Sequence, residues 1–217
     1  MKEIIKNPLF LAVLALKIVA SALFISDIPA TLFVPFLNFF AEHPLANPYQ
    51  HFFELNILKA FPYPALMLFI FGLLYLALSF FNSPEVLSFL DAFVLRIPLL
   101  LADLAVLSIL IHLNPAKKKA ALYLYWLSPV VFYINYIHGQ LDIIPIFLLL
   151  TSLALLFKEK KMASAILFAL SLSTKSHIFI TLPFVLLYLW KRKYGVKTVT
   201  SYLVTAAAVY LLLLLPY

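Results

Sequence analysis

Long apolar runs broken by short polar punctuation make up almost the whole chain. At about 20 residues per membrane crossing, they predict helices over roughly 8–25, 64–81, 97–113, 120–137, 141–157, 162–174, 177–190 and 198–217. The stretch 26–62 departs from this pattern, since Asp27, Pro29, Pro35, Asn38, Glu42, His43, Pro44, His51 and Glu54 are mixed there with many phenylalanines. It predicts an outer loop carrying an interfacial helix over 29–40, capped by Ser26 or Asp27. With no internal repeat and no low-complexity linker, 1–217 is expected to be a single domain. The predicted fold class is all-α, a polytopic transmembrane helical bundle of about seven to eight spans.

Composition agrees with that class, because 65% of the residues are hydrophobic and only 12% are charged. The net charge of +7 lies mostly in short basic loops: Lys117 to Lys119, Lys158 to Lys161, and 191–197. That is the positive-inside pattern, and it argues against nucleic acid as a partner. The absence of cysteine excludes disulfides and thiolate metal sites or nucleophiles. The N-terminal run has no small-residue cleavage pattern and is read as an uncleaved first span. Keeping the N-terminus and all three basic loops cytoplasmic requires the segment 62–96 to return to the side it left, either as a re-entrant helix or as a hairpin completed by 84–96. The Asp27 loop, Arg96, the tip 138–142 and the turn 174–177 then share the extracytoplasmic face. The opposite topology puts the N-terminus outside and separates Asp27 from the others.

Polar residues deep in apolar runs need a reason. His138-Gly139-Gln140-Leu141-Asp142 forms the tip of a hairpin between two lysine clusters. The runs 162–174 and 177–190 give only about 20 Å of helix each, too short for a hydrocarbon core of about 30 Å. The turn between them therefore sits partly inside the membrane, and its Lys175, His177 and hydroxyls form a candidate anion site. Lys17 and Asp103 are isolated charges at compatible depths and are expected to pair. Plainer readings stand beside these: Asp27 as a helix cap, Arg96 snorkelling to headgroups, His138, Gln140 and Asp142 capping the next helix, and Tyr123, Tyr125 and Trp126 as an aromatic belt.

One ordered set of motifs resembles the GT-C superfamily of integral-membrane glycosyltransferases, in particular its mannosyltransferase-like members. The set is Ser26-Asp27-Ile28-Pro29, then Asn47-Pro48-Tyr49 and Phe61-Pro62-Tyr63-Pro64, Leu95-Arg96-Ile97-Pro98 before Asp103, Leu127-Ser128-Pro129, His138-Gly139-Gln140-Leu141-Asp142, and Lys175 before Leu182-Pro183. The resemblance implies the family's N-terminal module and a catalytic carboxylate at Asp27. It also implies inverting transfer of a sugar from a polyprenyl-phosphate donor to a glycan, lipid or protein acceptor on the extracytoplasmic face. On this reading Arg96 and Lys175 face the phosphate, while His138, Gln140, Asp142 and His177 bind substrate. Metal ligands stay open, with a divalent cation (magnesium or manganese) held near Asp27 as one option. Two alternatives remain: a small transporter or flippase for a lipid-linked or anionic substrate, and a truncated, non-catalytic GT-C subunit that assists a partner.

Overall fold

The computed structural model describes the backbone of residues 2–81 and 84–214, with side chains over 3–81 and 90–214. The described residues are all-helical, with no strand. The predicted run 198–217 ends outside them. Among the described residues, two helices, Leu90–Leu113 within a longer helix and Val196–Leu214, are long and apolar enough to cross a membrane. A third candidate is the pair Pro115–Trp126 and Pro129–His138, bent by 51° at a short break. The other apolar helices have 10–17 residues.

Two compact units emerge, one of residues 1–62 and 68–143, the other of 63–67 and 144–217. In the first, α1 (Lys2–Ile5) leads into α2 (Pro8–Leu23), whose start is fixed by the Asn7 side chain accepting from the Leu9 amide and by Pro8. A π-helical turn over Pro29–Phe33 continues into α3 (Val34–Glu42), and α4 (Pro48–Glu54) is capped by Asn47. Then come α5 (Ala65–Ser79) and α6 (Pro84–Leu113). Helix is thus present over 29–40 as expected, but Ser26 does not cap it. Its hydroxyl donates instead to the His138 carbonyl.

Two breaks differ from the sequence expectation. The runs 84–96 and 97–113 are one 30-residue helix, which passes through Pro98 without ending. The Tyr75 hydroxyl on α5 donates to the Asp91 carbonyl on α6 at 3.3 Å, which links these two helices. Conversely, the run 120–137 is interrupted. After α7 (Lys118–Ala120), a π-helical segment Ala121–Trp126 stops at Leu127; α8 (Pro129–Phe132), capped by the Ser128 hydroxyl, runs into a second π-helical segment, Tyr133–His138. Proline disfavours helical backbone at the residue before it, so Ser128-Pro129 is where the sequence carried this break.

Helices α2 and α6 run antiparallel. Glu3 on α1 pairs with Lys118 on α7, Lys17 on α2 with Asp103 on α6, and the carbonyl of Phe24 at the end of α2 receives Arg96 on α6, contacts that advance in one part of the chain as they retreat in the other. The N-terminus and the lysine cluster Lys117 to Lys119 therefore lie at the same end of this pair, and the Lys118 ammonium holds the Glu3 carboxyl below the usual carboxylate range. Helix α2 is turned inside out relative to a soluble helix: Lys17 and Ser21 are buried, whereas Leu16, Val19 and Leu23 are 54%, 51% and 71% exposed. An apolar surrounding stabilises such a face, and water does not.

A buried polar cluster ties these helices together. Lys17 Nζ lies 2.7 Å from Asp103 Oδ2 and 3.5 Å from the Trp126 ring centroid. The Tyr125 hydroxyl donates to Asp103 Oδ1 at 2.6 Å and the Tyr136 hydroxyl to Oδ2 at 2.7 Å. Trp126, fully buried, stacks on Phe10 and donates to its carbonyl at 3.3 Å. The pairing expected of Lys17 and Asp103 is present, but Tyr125 and Trp126 do not form an aromatic belt. They face inward as partners of that pair, and only Tyr123, 55% exposed, keeps an outward place.

The second unit contains α9 (Ile143–Phe157), α10 (Lys161–Leu172), a 3-10 segment Ser176–Thr181, α11 (Leu182–Lys191) and α12 (Val196–Leu214). α10 and α12 pack through Phe168, Ala169, Tyr202 and Ala206. A buried hydroxyl chain links Ser152, Ser164 and Tyr202. At one end the Tyr194 phenol donates to Glu159, which pulls that carboxyl down and pushes the phenol up to about 12.

Removing the Asp103 carboxylate leaves a buried ammonium without its counter-charge. Asp103→Ala is expected to lower unfolding stability in detergent micelles by about 3–5 kcal/mol. Tyr125→Phe, which deletes one hydroxyl donor, should cost about 1 kcal/mol in the same measurement.

Candidate functional site

Arg96 lies on α6 two turns before Asp103 and is completely buried. Its Nη2 donates weakly to the Phe24 carbonyl at 3.4 Å, while Nε and Nη1 are buried with no hydrogen-bond partner. Among the described residues no carboxylate forms an ion pair with it. A guanidinium carries five N–H donors in a planar fork, and leaving several unmet in an apolar interior costs a few kcal/mol. The group is therefore a buried cation with incomplete hydrogen bonding, and snorkelling to the surface does not describe it.

What closes over Arg96 is the tip of the bent span. The π-helical segment Tyr133–His138 ends at Gly139, whose φ of +79° lies in the left-handed region and lets the amides of Gly139 and Gln140 both reach the Ile134 carbonyl at 3.0 Å. A Cβ at Gly139 would lie 2.9 Å from Arg96 Nη2 and 3.0 Å from Pro29 Cγ. Only glycine permits both the turn and this approach. From the other side, the Ser26 hydroxyl ties the segment before Pro29 to the His138 carbonyl. Three motifs far apart in the chain thus meet: Ser26 to Pro29, Arg96, and His138 to Gln140.

Within this meeting point the predicted residues take different places. Asp27 is exposed, next to the Ser26 tether, and its carbonyl accepts from the Thr31 hydroxyl at 2.6 Å. His138 is half-buried, parallel to the Tyr133 ring at 6.2 Å, with Gln140 Nε2 3.4 Å from its Nε2. Asp142 is half-buried just before α9. Among the described residues no three His, Asp or Glu side chains gather into a metal-binding group. Asp27 and Asp142 therefore bring no ligand cluster with them.

Lys175 and His177 belong to the second unit. Lys175 is half-buried with Nζ 5.5 Å from the Tyr63 ring centroid, and His177 is exposed on the 3-10 segment. The hydroxyls expected to join them donate elsewhere: Ser171 to the Pro145 carbonyl, Ser173 to Ala169, and Thr174 to Ser171. The turn is unwound as expected, but the hydroxyl hydrogens of Ser171, Ser173 and Thr174 are bound to backbone carbonyls. The same unit has an almost wholly apolar cavity of about 300 Å³ lined by Phe168, Leu172, Phe179, Leu182, Leu203 and Tyr210, among others.

Sequence reasoning passed over Tyr136, Tyr75 and Asp91. Asp91, only 8% exposed, has an unpartnered Oδ1, and the Tyr75 and Asn38 side chains approach its carboxyl. The available signal was the one that singled out Lys17: a tyrosine hydroxyl or carboxyl deep in an apolar run needs a partner. No protein-family model, curated protein or solved structure matches this chain.

Gly139→Ala puts a side chain into left-handed backbone and against the Arg96 guanidinium. It should cost about 1–2 kcal/mol of stability and displace Arg96. Gly195→Ala, where nothing lies within 4 Å of the added carbon, is the matched control in thermal unfolding.

Proposed function

We propose that the chain is a GT-C-type membrane glycosyltransferase that moves a sugar from a polyprenyl-phosphate donor to an acceptor hydroxyl on the extracytoplasmic face. The observation that carries this reading is the buried, unpaired Arg96 guanidinium beneath the Gly139 turn, with the carboxylate-bearing loop at Asp27 tethered to the same turn by Ser26. The acceptor oxygen attacks the anomeric carbon as its proton passes to the Asp27 carboxylate. The bond from that carbon to the phosphate oxygen breaks, and the electron pair leaves on the prenyl phosphate. Arg96 stabilises the negative charge that builds there. His138, Gln140 and Asp142 supply hydrogen bonds to sugar or acceptor hydroxyls.

In orientation, the reading puts the N-terminus and the lysine loops in the cytoplasm. The antiparallel α2 and α6, with Glu3 beside Lys118, support one shared side for the first two of these. The full seven-to-eight-span bundle belongs to the same proposal, with the shorter apolar helices as partial crossings.

A second reading, a transporter or flippase for a lipid-linked or anionic substrate, is favoured by the span broken and bent by 51° before Pro129. Interrupted spans often mark transport sites. Assaying the purified chain in liposomes with a panel of polyprenyl-phosphate sugars separates the two. Transfer requires cleavage of the sugar from the phosphate, whereas transport moves the donor intact. On the enzyme reading Asp27→Asn lowers the transfer rate by about 10²- to 10⁴-fold with donor binding retained, and Arg96→Gln weakens donor binding. Equal transfer by Asp27→Asn and the unaltered chain would remove the carboxylate from the chemistry.

A further inference from the structure

Asp103 accepts two hydroxyls, one on each carboxylate oxygen: Tyr125 from the first half of the bent span and Tyr136 from the second. That task requires a carboxylate. An asparagine offers one acceptor oxygen and turns a donor toward the other hydroxyl. The requirement has an electrostatic consequence for Arg96. Residues seven apart on a helix lie on the same face, two turns or roughly 10 Å apart, so the carboxylate that clamps the span is also the nearest rival to any anion at Arg96 along that face of α6. Tyr136 lies within electrostatic reach of both groups.

Lys17 removes the rivalry. Its ammonium, 2.7 Å from Asp103 Oδ2 and fully buried, turns the carboxylate into half of a neutral pair. A stabilising role alone does not account for it, because buried ion pairs replaced by apolar groups are often neutral or more stable. We propose that Lys17 sets the anion affinity of the Arg96 site, cancelling the charge of the Asp103 clamp so that the guanidinium stays free for a lipid-borne phosphate. This rests on the donor reading above and adds to it a specificity-determining residue outside the motifs that touch substrate.

At an effective dielectric constant of about 20, one uncancelled charge at that distance lowers the affinity for a monovalent anion by about tenfold. The effect scales with ligand charge, and loosened packing does not. The experiment measures binding of three probes sharing one C15 prenyl chain to the purified chain: the phosphomonoester, its methyl phosphodiester and the free alcohol. Lys17→Met is expected to weaken the diester about tenfold and the doubly charged monoester about a hundredfold, with the alcohol unchanged within about twofold. Lys17→Arg, which keeps the charge, should stay near the unaltered chain for all three. Where Lys17→Met does not fold, Lys17→Gln retains a donor for Asp103 and should give the same graded order. Equal losses for all three probes, or no loss for the monoester, would overturn the role of Lys17. Arg96→Gln distinguishes that failure from failure of the donor reading. If the monoester binds Arg96→Gln as tightly as the unaltered chain, or binds the unaltered chain no more tightly than inorganic phosphate does, the lipid-phosphate site itself falls.

Discussion

The Asp103 carboxylate is the junction on which the first unit depends. Four elements converge on it: α6 carries it, α2 sends Lys17, and each half of the bent span sends a tyrosine hydroxyl. In an apolar surrounding these bonds have no water to exchange with, so each is strong when made and costly when left unmade. The shape of the unit follows. With Tyr125 and Tyr136 bound to opposite oxygens, the span breaks at Leu127 and Ser128, and its second half is held against α6. That half ends at Gly139, whose turn comes to rest on Arg96.

The contrast between the two basic residues buried in this unit is informative. Lys17 has a carboxylate at 2.7 Å and an indole face at 3.5 Å. Arg96, no less buried, has one long contact to a carbonyl and two nitrogens without partners. On the proposed reading, the donor phosphate supplies the partners that Arg96 lacks. The Ser26 tether and the Gly139 turn bring the segment before Pro29 and the end of the bent span together against Arg96.

Much of this was legible from residue order. Isolated charges in apolar runs demand partners, and that argument pairs Lys17 with Asp103 from the sequence alone. Lysine placement assigned the N-terminus and Lys117 to Lys119 to one side of a membrane, and in the fold Glu3 meets Lys118. The helix after Asp27 and the unwound turn after Leu172 followed from proline and from run length. What failed was the assumption that a run of one character is one element. Pro98 did not end α6, because a helix flanked by long apolar turns tolerates one missing donor. Pro129 did break its span, because Ser128 before it could cap a new helix. Tyr125 and Trp126 were assigned to a membrane-interface belt from residue type alone, but the partner of a buried charge is set by tertiary packing that spacing does not reveal. Lys175 and His177 were grouped with nearby hydroxyls whose hydrogens are bound to backbone carbonyls instead.

The sequence contains only two arginines, Arg96 and Arg192, so the central claim is open to a direct distance measurement. With arginine nitrogens labelled with ¹⁵N, Arg192 replaced by lysine, and a short prenyl phosphate bound in lipid bilayers, solid-state NMR reports the separation of phosphorus from the Arg96 guanidinium. Charge-assisted hydrogen bonds from the guanidinium to phosphate oxygens require about 4 Å or less, and this account predicts that value, lost in the Gly139→Ala protein. A bound prenyl phosphate showing no coupling to the Arg96 nitrogens would contradict the claim that this buried guanidinium receives the donor.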